Sequence, residues 1–170
     1  FNPSRDPAIL KEINETTGFS YIPYSHQDKR REIRQTGLVA ITYYNHGVML
    51  SKDKKYHEAL LAYFKALSLD SQFASAVRNI LSALANWGID LSDNKQFDEA
   101  LTVVRTGLQL APEDAALLNN RKAIWYAWAE SAIDSGNSEQ ALQIFARAAE
   151  DVPSENFLNM QSWVFINPGR

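Results

Sequence analysis

Residues 84–108 read LANWGIDLSDNKQFDEALTVVRTGL, and the same pattern stands 41 residues earlier and 41 residues later. The earlier copy is YYNHGVMLSKDKKYHEALLAYFKAL at 43–67, and the later is WYAWAESAIDSGNSEQALQIFARAA at 125–149. Gly47, Gly88 and Ala129 share one position of the copies; Tyr56, Phe97 and Ser138 share another. Glu58-Ala59-Leu60, Glu99-Ala100-Leu101 and Gln140-Ala141-Leu142 follow in the same register, and the copies close near Ser71, Pro112 and Pro153. A fixed period of this length marks a repeat architecture, in which each unit buries its apolar face against its neighbours.

Each copy predicts two helices. In the first, apolar residues at 38, 39, 41, 43, 44, 48 and 50 carry one helix, polar Ser51–Lys55 ends it, and residues 56–69 carry the second. The middle copy runs Ala74–Leu91, turn Ser92–Gln96, then Phe97–Leu110. The last runs Ala115–Ile133, turn Asp134–Ser138, then Glu139–Ala149. Asp98 and Glu99 complement the unpaired N–H groups at a helix start, and Gly136-Asn137 suits a left-handed helix end. Pro112 and Pro153 end one helix or open the next, through the missing N–H and the clash with the preceding turn. No stretch sustains strand alternation, so the expected fold is all-α.

The small residues show where helices come closest. Gly47, Gly88 and Ala129 on the first helices face Ala59, Ala100 and Ala141 on the second. Tyr63, Val104 and Phe145, four residues on, are the bulky side chains that fill the space beside them. Ala66, Gly107 and Ala148 are small again.

This pattern resembles the tetratricopeptide repeat (TPR) family over about residues 33–155. The residues that carry the resemblance are Tyr43, His46, Gly47, Leu50, Tyr56, Ala59, Tyr63, Ala66 and Ser71 in the first copy. The second supplies Leu84, Trp87, Gly88, Leu91, Phe97, Ala100, Val104, Gly107 and Pro112. The third supplies Trp125, Trp128, Ala129, Ala132, Ala141, Phe145, Ala148 and Pro153, with Ser138 where an aromatic is usual. The resemblance implies a right-handed superhelical array of antiparallel helix pairs. The family's unit is about 34 residues; seven more are two helical turns, which lengthen a helix while leaving its apolar face nearly in place. The turn-to-Pro half keeps its spacing, so the added turns are expected in the first helices, at Ser75–Leu84 and Ala116–Trp125.

Residues 1–32 fall outside the repeat and read as an N-terminal cap or a linker, with a short helix over Pro7–Thr16. The tail 156–170 carries Phe157, Leu158, Met160, Trp163, Val164, Phe165 and Ile166 and reads as an apolar cap on the last copy or a contact to a second copy. The chain starts at Phe1 rather than Met, as a fragment or processed product does.

Composition narrows the function. The chain has 170 residues, 45% hydrophobic and 22% charged, with a formal net charge of −3, which argues against a nucleic-acid or anionic-membrane partner. Nine basic residues stand against six acidic in 1–55, so any dipole is mild. With no cysteine, disulfides, thiol nucleophiles and cysteine-ligated metals are excluded from this sequence. The longest uncharged run, Gln35–Leu50, is too short and too polar to span a bilayer. No targeting signal is recognisable, and a soluble, cytoplasmic protein is the preferred reading. His46 is expected partly buried beside Tyr43; neither it, His57 nor His26 has a second ligand at metal-binding spacing. Asp90, Asp93, Asp98 and Glu99 read as solvating and capping carboxylates. No cofactor, metal or catalytic residue is expected, and the chain reads as a non-enzyme.

The expected function is therefore binding. In the family's register the inner face of the first helices falls on Tyr44, Val48, Ser51 and Lys52, then Ala85, Ile89, Ser92 and Asp93, then Tyr126, Glu130, Ile133 and Asp134. Arg78, Asn79, Asn119, Asn120 and Arg121 on the added turns could add polar contacts. The resemblance implies a groove for a protein or an extended peptide, which could be the protein's own flanking sequence. The clamp of Lys and Asn with which some family members hold a terminal carboxylate is missing, because Tyr44, Val48, Ala85 and Asn86 stand at the matching positions. The alternatives are an accessory domain of a larger, enzymatic polypeptide and a module that self-associates through the tail.

Overall fold

The computed structural model describes residues 35–152, and all of its regular structure is α-helical. The helices are α1 (Gln35–Lys52), α2 (Tyr56–Leu69), α3 (Ala74–Asp93), α4 (Phe97–Leu110), α5 (Ala115–Asp134) and α6 (Ser138–Asp151). The contacts divide the chain after Leu38, and the packing below lies within the unit that starts at Val39. Segments 1–32 and 156–170, read above as caps or linkers, lie outside the described residues. The second helices start within a residue of their expected positions. The two first helices α3 and α5 have 20 residues each.

The helices pack as hairpins: α1 with α2, α3 with α4, α5 with α6. Adjacent hairpins meet through α2 with α3 and α4 with α5, and α3 also touches α5 directly. This is the packing of a helical repeat. Within a hairpin the crossing is close enough to exclude a β-carbon. A Cβ at Gly47 would lie 2.6 Å from the Tyr63 ring, and one at Gly88 would lie 2.5 Å from Val104 Cγ2. Ala129 and Phe145, their counterparts in the third hairpin, are fully buried. Gly107 serves a different contact: its Cβ would meet Leu117 at 2.7 Å, across the junction with the next hairpin. One period earlier the same two positions hold Ala66 and Ala76, packed in one small cluster. Size is shared between the partners rather than set at either position.

Each turn reverses the chain in the same way. Lys54, Lys95 and Gly136, spaced by the repeat period, have positive φ of 58°, 62° and 74°. The N–H of Lys54 reaches Ser51 O at 3.1 Å and that of Lys55 reaches Leu50 O at 2.9 Å. Lys95 with Ser92 and Gln96 with Leu91 repeat the pair, as do Gly136 with Ile133 and Asn137 with Ala132. These paired bonds satisfy the last carbonyls of the first helix and need one left-handed residue, for which glycine carries no Cβ penalty. The third turn uses glycine; the first two hold lysine there against its preference.

The buried centre is built from Tyr63, Leu101, Val104, Leu117, Ile124, Trp125 and Phe145, all under 3% exposed. His46 departs from expectation, for it is exposed. At the same position Trp87 and Trp128 are covered by an aromatic from the preceding hairpin, and among the described residues no hairpin precedes α1.

Two substitutions test this account. Gly88→Leu should lower the unfolding free energy by about 3 kcal/mol through overpacking, and Val104→Ala in the same chain should restore part of the loss; urea denaturation measures both. Lys95→Gly should raise stability by about 0.5–1 kcal/mol by relieving a left-handed lysine, while Gly136→Ala lowers it.

Candidate functional site

The positions of α1, α3 and α5 expected on an inner face divide into those spent on packing and those left open. On α1, Tyr44, Val48 and Ser51 are half-buried and Lys52 is exposed. The Tyr44 ring packs 4.8 Å from that of Phe73 and 6.0 Å from that of Tyr63. On α3, Ala85 is buried, Ser92 is half-buried, and Ile89 and Asp93 are exposed. On α5, Ile133 is buried, Tyr126 is half-buried, and Glu130 and Asp134 are exposed. Ala85 and Ile133, expected to line an open groove, belong to the buried core.

The polar residues near the N-terminal ends of α3 and α5 divide in the same way. The Asn79 amide donates to the Tyr44 hydroxyl at 3.2 Å. Asn120, one period later, donates to the Ala85 carbonyl at 3.1 Å. Ala85 occupies in α3 the place of Tyr44 in α1, so the two asparagines make one repeated link between successive first helices. Where the acceptor hydroxyl is absent, the backbone carbonyl takes its role. Arg78 is exposed and donates to Ser75 Oγ at 3.1 Å, and Asn119 is exposed. Arg121 is half-buried, and its Nε has neither a hydrogen-bond partner nor contact with solvent. Such a group costs free energy that its neighbours must supply.

Two joints between hairpins went unread in the sequence. At the first, the Tyr56 ring stacks on Trp87 at 6.3 Å, and its hydroxyl donates to Asp90 Oδ2 at 2.8 Å. Lys54 Nζ pairs with Asp90 Oδ1 at 3.0 Å. At the second, Phe97 stacks on Trp128 at 5.7 Å, and Trp128 on Trp125 at 5.4 Å. The Arg147 guanidinium lies 4.7 Å over Trp128 and 3.1 Å from Asp98 Oδ1. Asp151 accepts from the Trp125 indole at 2.8 Å and pairs with Arg105 at 3.1 Å. Asp90, read above as a solvating carboxylate, is instead a joint residue. Met49 and Ser131 hold its position in the other hairpins, so no periodic signal marks it.

The charges at the first joint are coupled. Burial alone would push the Asp90 carboxyl up, but hydrogen bonds from Lys54 and Tyr56, with the Lys54 charge, outweigh it and hold its pKa below the ordinary aspartate value. Tyr56 is pushed up to about 12 by burial first, then by its hydrogen bond to Asp90 and that residue's negative charge.

Among the described residues no three His, Cys, Asp or Glu side chains converge as a metal site would require. No described helix is long and apolar enough to cross a membrane. Comparison with protein-family models, with curated proteins and with solved structures gives no match.

Because the Asp90 pKa is lower in the folded chain, its contribution is present above the ordinary aspartate value and is lost as pH falls through the folded one. Asp90→Asn should cost about 1 kcal/mol at neutral pH, discounted for the exposed Lys54, and the gap from the parent should close on acidification. Tyr56, whose pKa is raised, should lose its contribution as pH climbs from 10 towards about 12. Denaturation midpoints across pH for the parent, Asp90→Asn and Tyr56→Phe measure both limbs.

Proposed function

We propose that this chain is a non-catalytic scaffold of TPR type whose first helices form the concave wall of a right-handed superhelix and receive a protein segment or an extended peptide. The observation that carries the reading is the regular side-by-side placement of first helices, with α3 against α5 and the Asn79 and Asn120 links at equivalent positions. Such spacing aligns side chains from successive helices along one face, as peptide recognition by a repeat array requires. At the register positions of that face, Ile89 is exposed and apolar and Val48 half-buried, while Lys52, Asp93, Glu130 and Asp134 are exposed and charged. An apolar centre with a polar rim is the composition of a binding face. The ligand class that follows is a segment with one or two apolar anchors, held by no terminal-carboxylate clamp.

Tyr44 is already committed to Phe73, Tyr63 and Asn79, so its replacement would weaken the fold as well as any binding. Ile89→Glu and Glu130→Lys avoid that ambiguity because both side chains are exposed. Peptides selected from a displayed library on the parent chain should bind Ile89→Glu about tenfold more weakly, measured by calorimetry. Selected peptides that bind both variants as tightly as the parent would place recognition elsewhere.

A further inference from the structure

Away from the inner face, a cavity of about 330 Å³ opens between α3 and α4. Its walls are Trp87, Leu91 and Val103, with Thr102 beside them and Asp98 and Glu99 at the edge. We propose that this cavity is a separate docking site, which takes an apolar side chain from a segment of another protein while Glu99 pairs with a neighbouring arginine or lysine of that segment. It shares no residue with the inner face, so it stands apart from the reading above.

The chemistry of the edge selects the partner. Thr102 donates its hydroxyl hydrogen to the Asp98 carbonyl at 2.9 Å, so it offers the cavity no free donor. Asp98 already pairs with Arg147 at 3.1 Å. Glu99 accepts a neutral amide hydrogen bond from Gln96 at 2.9 Å, and the ion pairs among the described residues do not include it. Its carboxylate lies beside an indole and two aliphatic side chains. A partner with phosphate or carboxylate groups would be repelled there; an aliphatic side chain next to a cation fits both features. The protein uses this combination within its own second joint, where one Arg147 guanidinium meets the Asp98 carboxylate and the Trp128 ring together. Position in the first turn of α4 accounts for two acidic residues through the helix dipole. It does not account for an open apolar cavity beside them. The volume is at the small end for ligand sites and suits one or two side chains.

Lys95 lines a smaller cavity of about 190 Å³ that shares Asp98 and Glu99 with this one and is bounded by Phe97 and Trp128. A basic segment seated there would meet that ammonium group, and the Trp87 side is free of it.

The test uses the ¹⁵N-labelled chain, whose four tryptophans each give an indole N–H signal, with Trp87→Phe assigning the relevant one. The probe is the peptide acetyl-Ala-Leu-Arg-Ala-amide; its controls replace Leu with Ala or Arg with citrulline. The Trp87 signal should shift saturably with the probe. Glu99→Gln and the citrulline peptide should each weaken binding about two- to fivefold, and Val103→Phe, which fills the cavity, should weaken it about tenfold or more, as should the Ala peptide. No saturable shift up to about 10 mM probe, a shift confined to Trp128, or equal affinity for the Leu and Ala peptides would overturn the proposal. Should Val103→Phe fail to fold, the exposed Glu99→Gln and the two control peptides decide it: undiminished affinity in all three rejects the site.

Discussion

The close crossing of two helices at Gly47 and Gly88 is the contact on which the hairpins depend. With a β-carbon at either position, Tyr63 or Val104 would have to leave a packed interior. Neither can do so cheaply, because both are almost wholly buried and the interior has no spare volume. The turn geometry follows from that proximity. Two helices this close must be joined by a tight reversal, and the paired backbone bonds with one left-handed residue supply it in all three hairpins. A lysine tolerates the left-handed position in two of them because the surrounding bonds hold it there. In the first, its side chain also reaches Asp90.

The joints between hairpins follow a common plan with different chemistry. An aromatic at the start of each of the first two second helices stacks on a tryptophan of the following first helix, as Tyr56 on Trp87 and Phe97 on Trp128. Tyrosine adds a hydroxyl, and Asp90 is there to accept it; phenylalanine has none, and Ser131 occupies that place. Cations over aromatics recur as well. Lys65 lies 4.9 Å over Tyr43 in the first hairpin and Arg147 lies 5.4 Å over Trp125 in the third. The middle hairpin has Thr106 and Leu84 at those positions, so cation and aromatic are replaced together. These paired changes keep each contact satisfied while the joints acquire different sensitivity to pH and salt.

Successive first helices are tied to one another in their N-terminal halves. Asn79 and Asn120 donate their amides to the neighbouring first helix, so those donors are already used within the fold. The exposed positions are a narrower set than the register alone implies: Ile89, Asp93, Glu130 and Asp134 are open, while Ala85 and Ile133 are buried. The cavity beside Trp87 lies on other residues altogether, because the indole that stacks on Tyr56 also borders the gap between α3 and α4.

The helical content, the hairpin pairing and the close crossings were legible in the sequence. Each depends on residue size or polarity recurring at one position, and a repeated constraint leaves a repeated mark. Burial along the first helices was not legible: nothing in a linear pattern separates Ala85, which is covered, from Ile89, which is open. Asp90, Arg147 and Asp151 were not legible at all. Each meets its partner through a contact between residues 26–49 apart that occurs once, so its position carries no period. Periodicity reports what every hairpin needs in order to fold, while the joints that orient one hairpin on the next are settled by which single side chains meet in three dimensions.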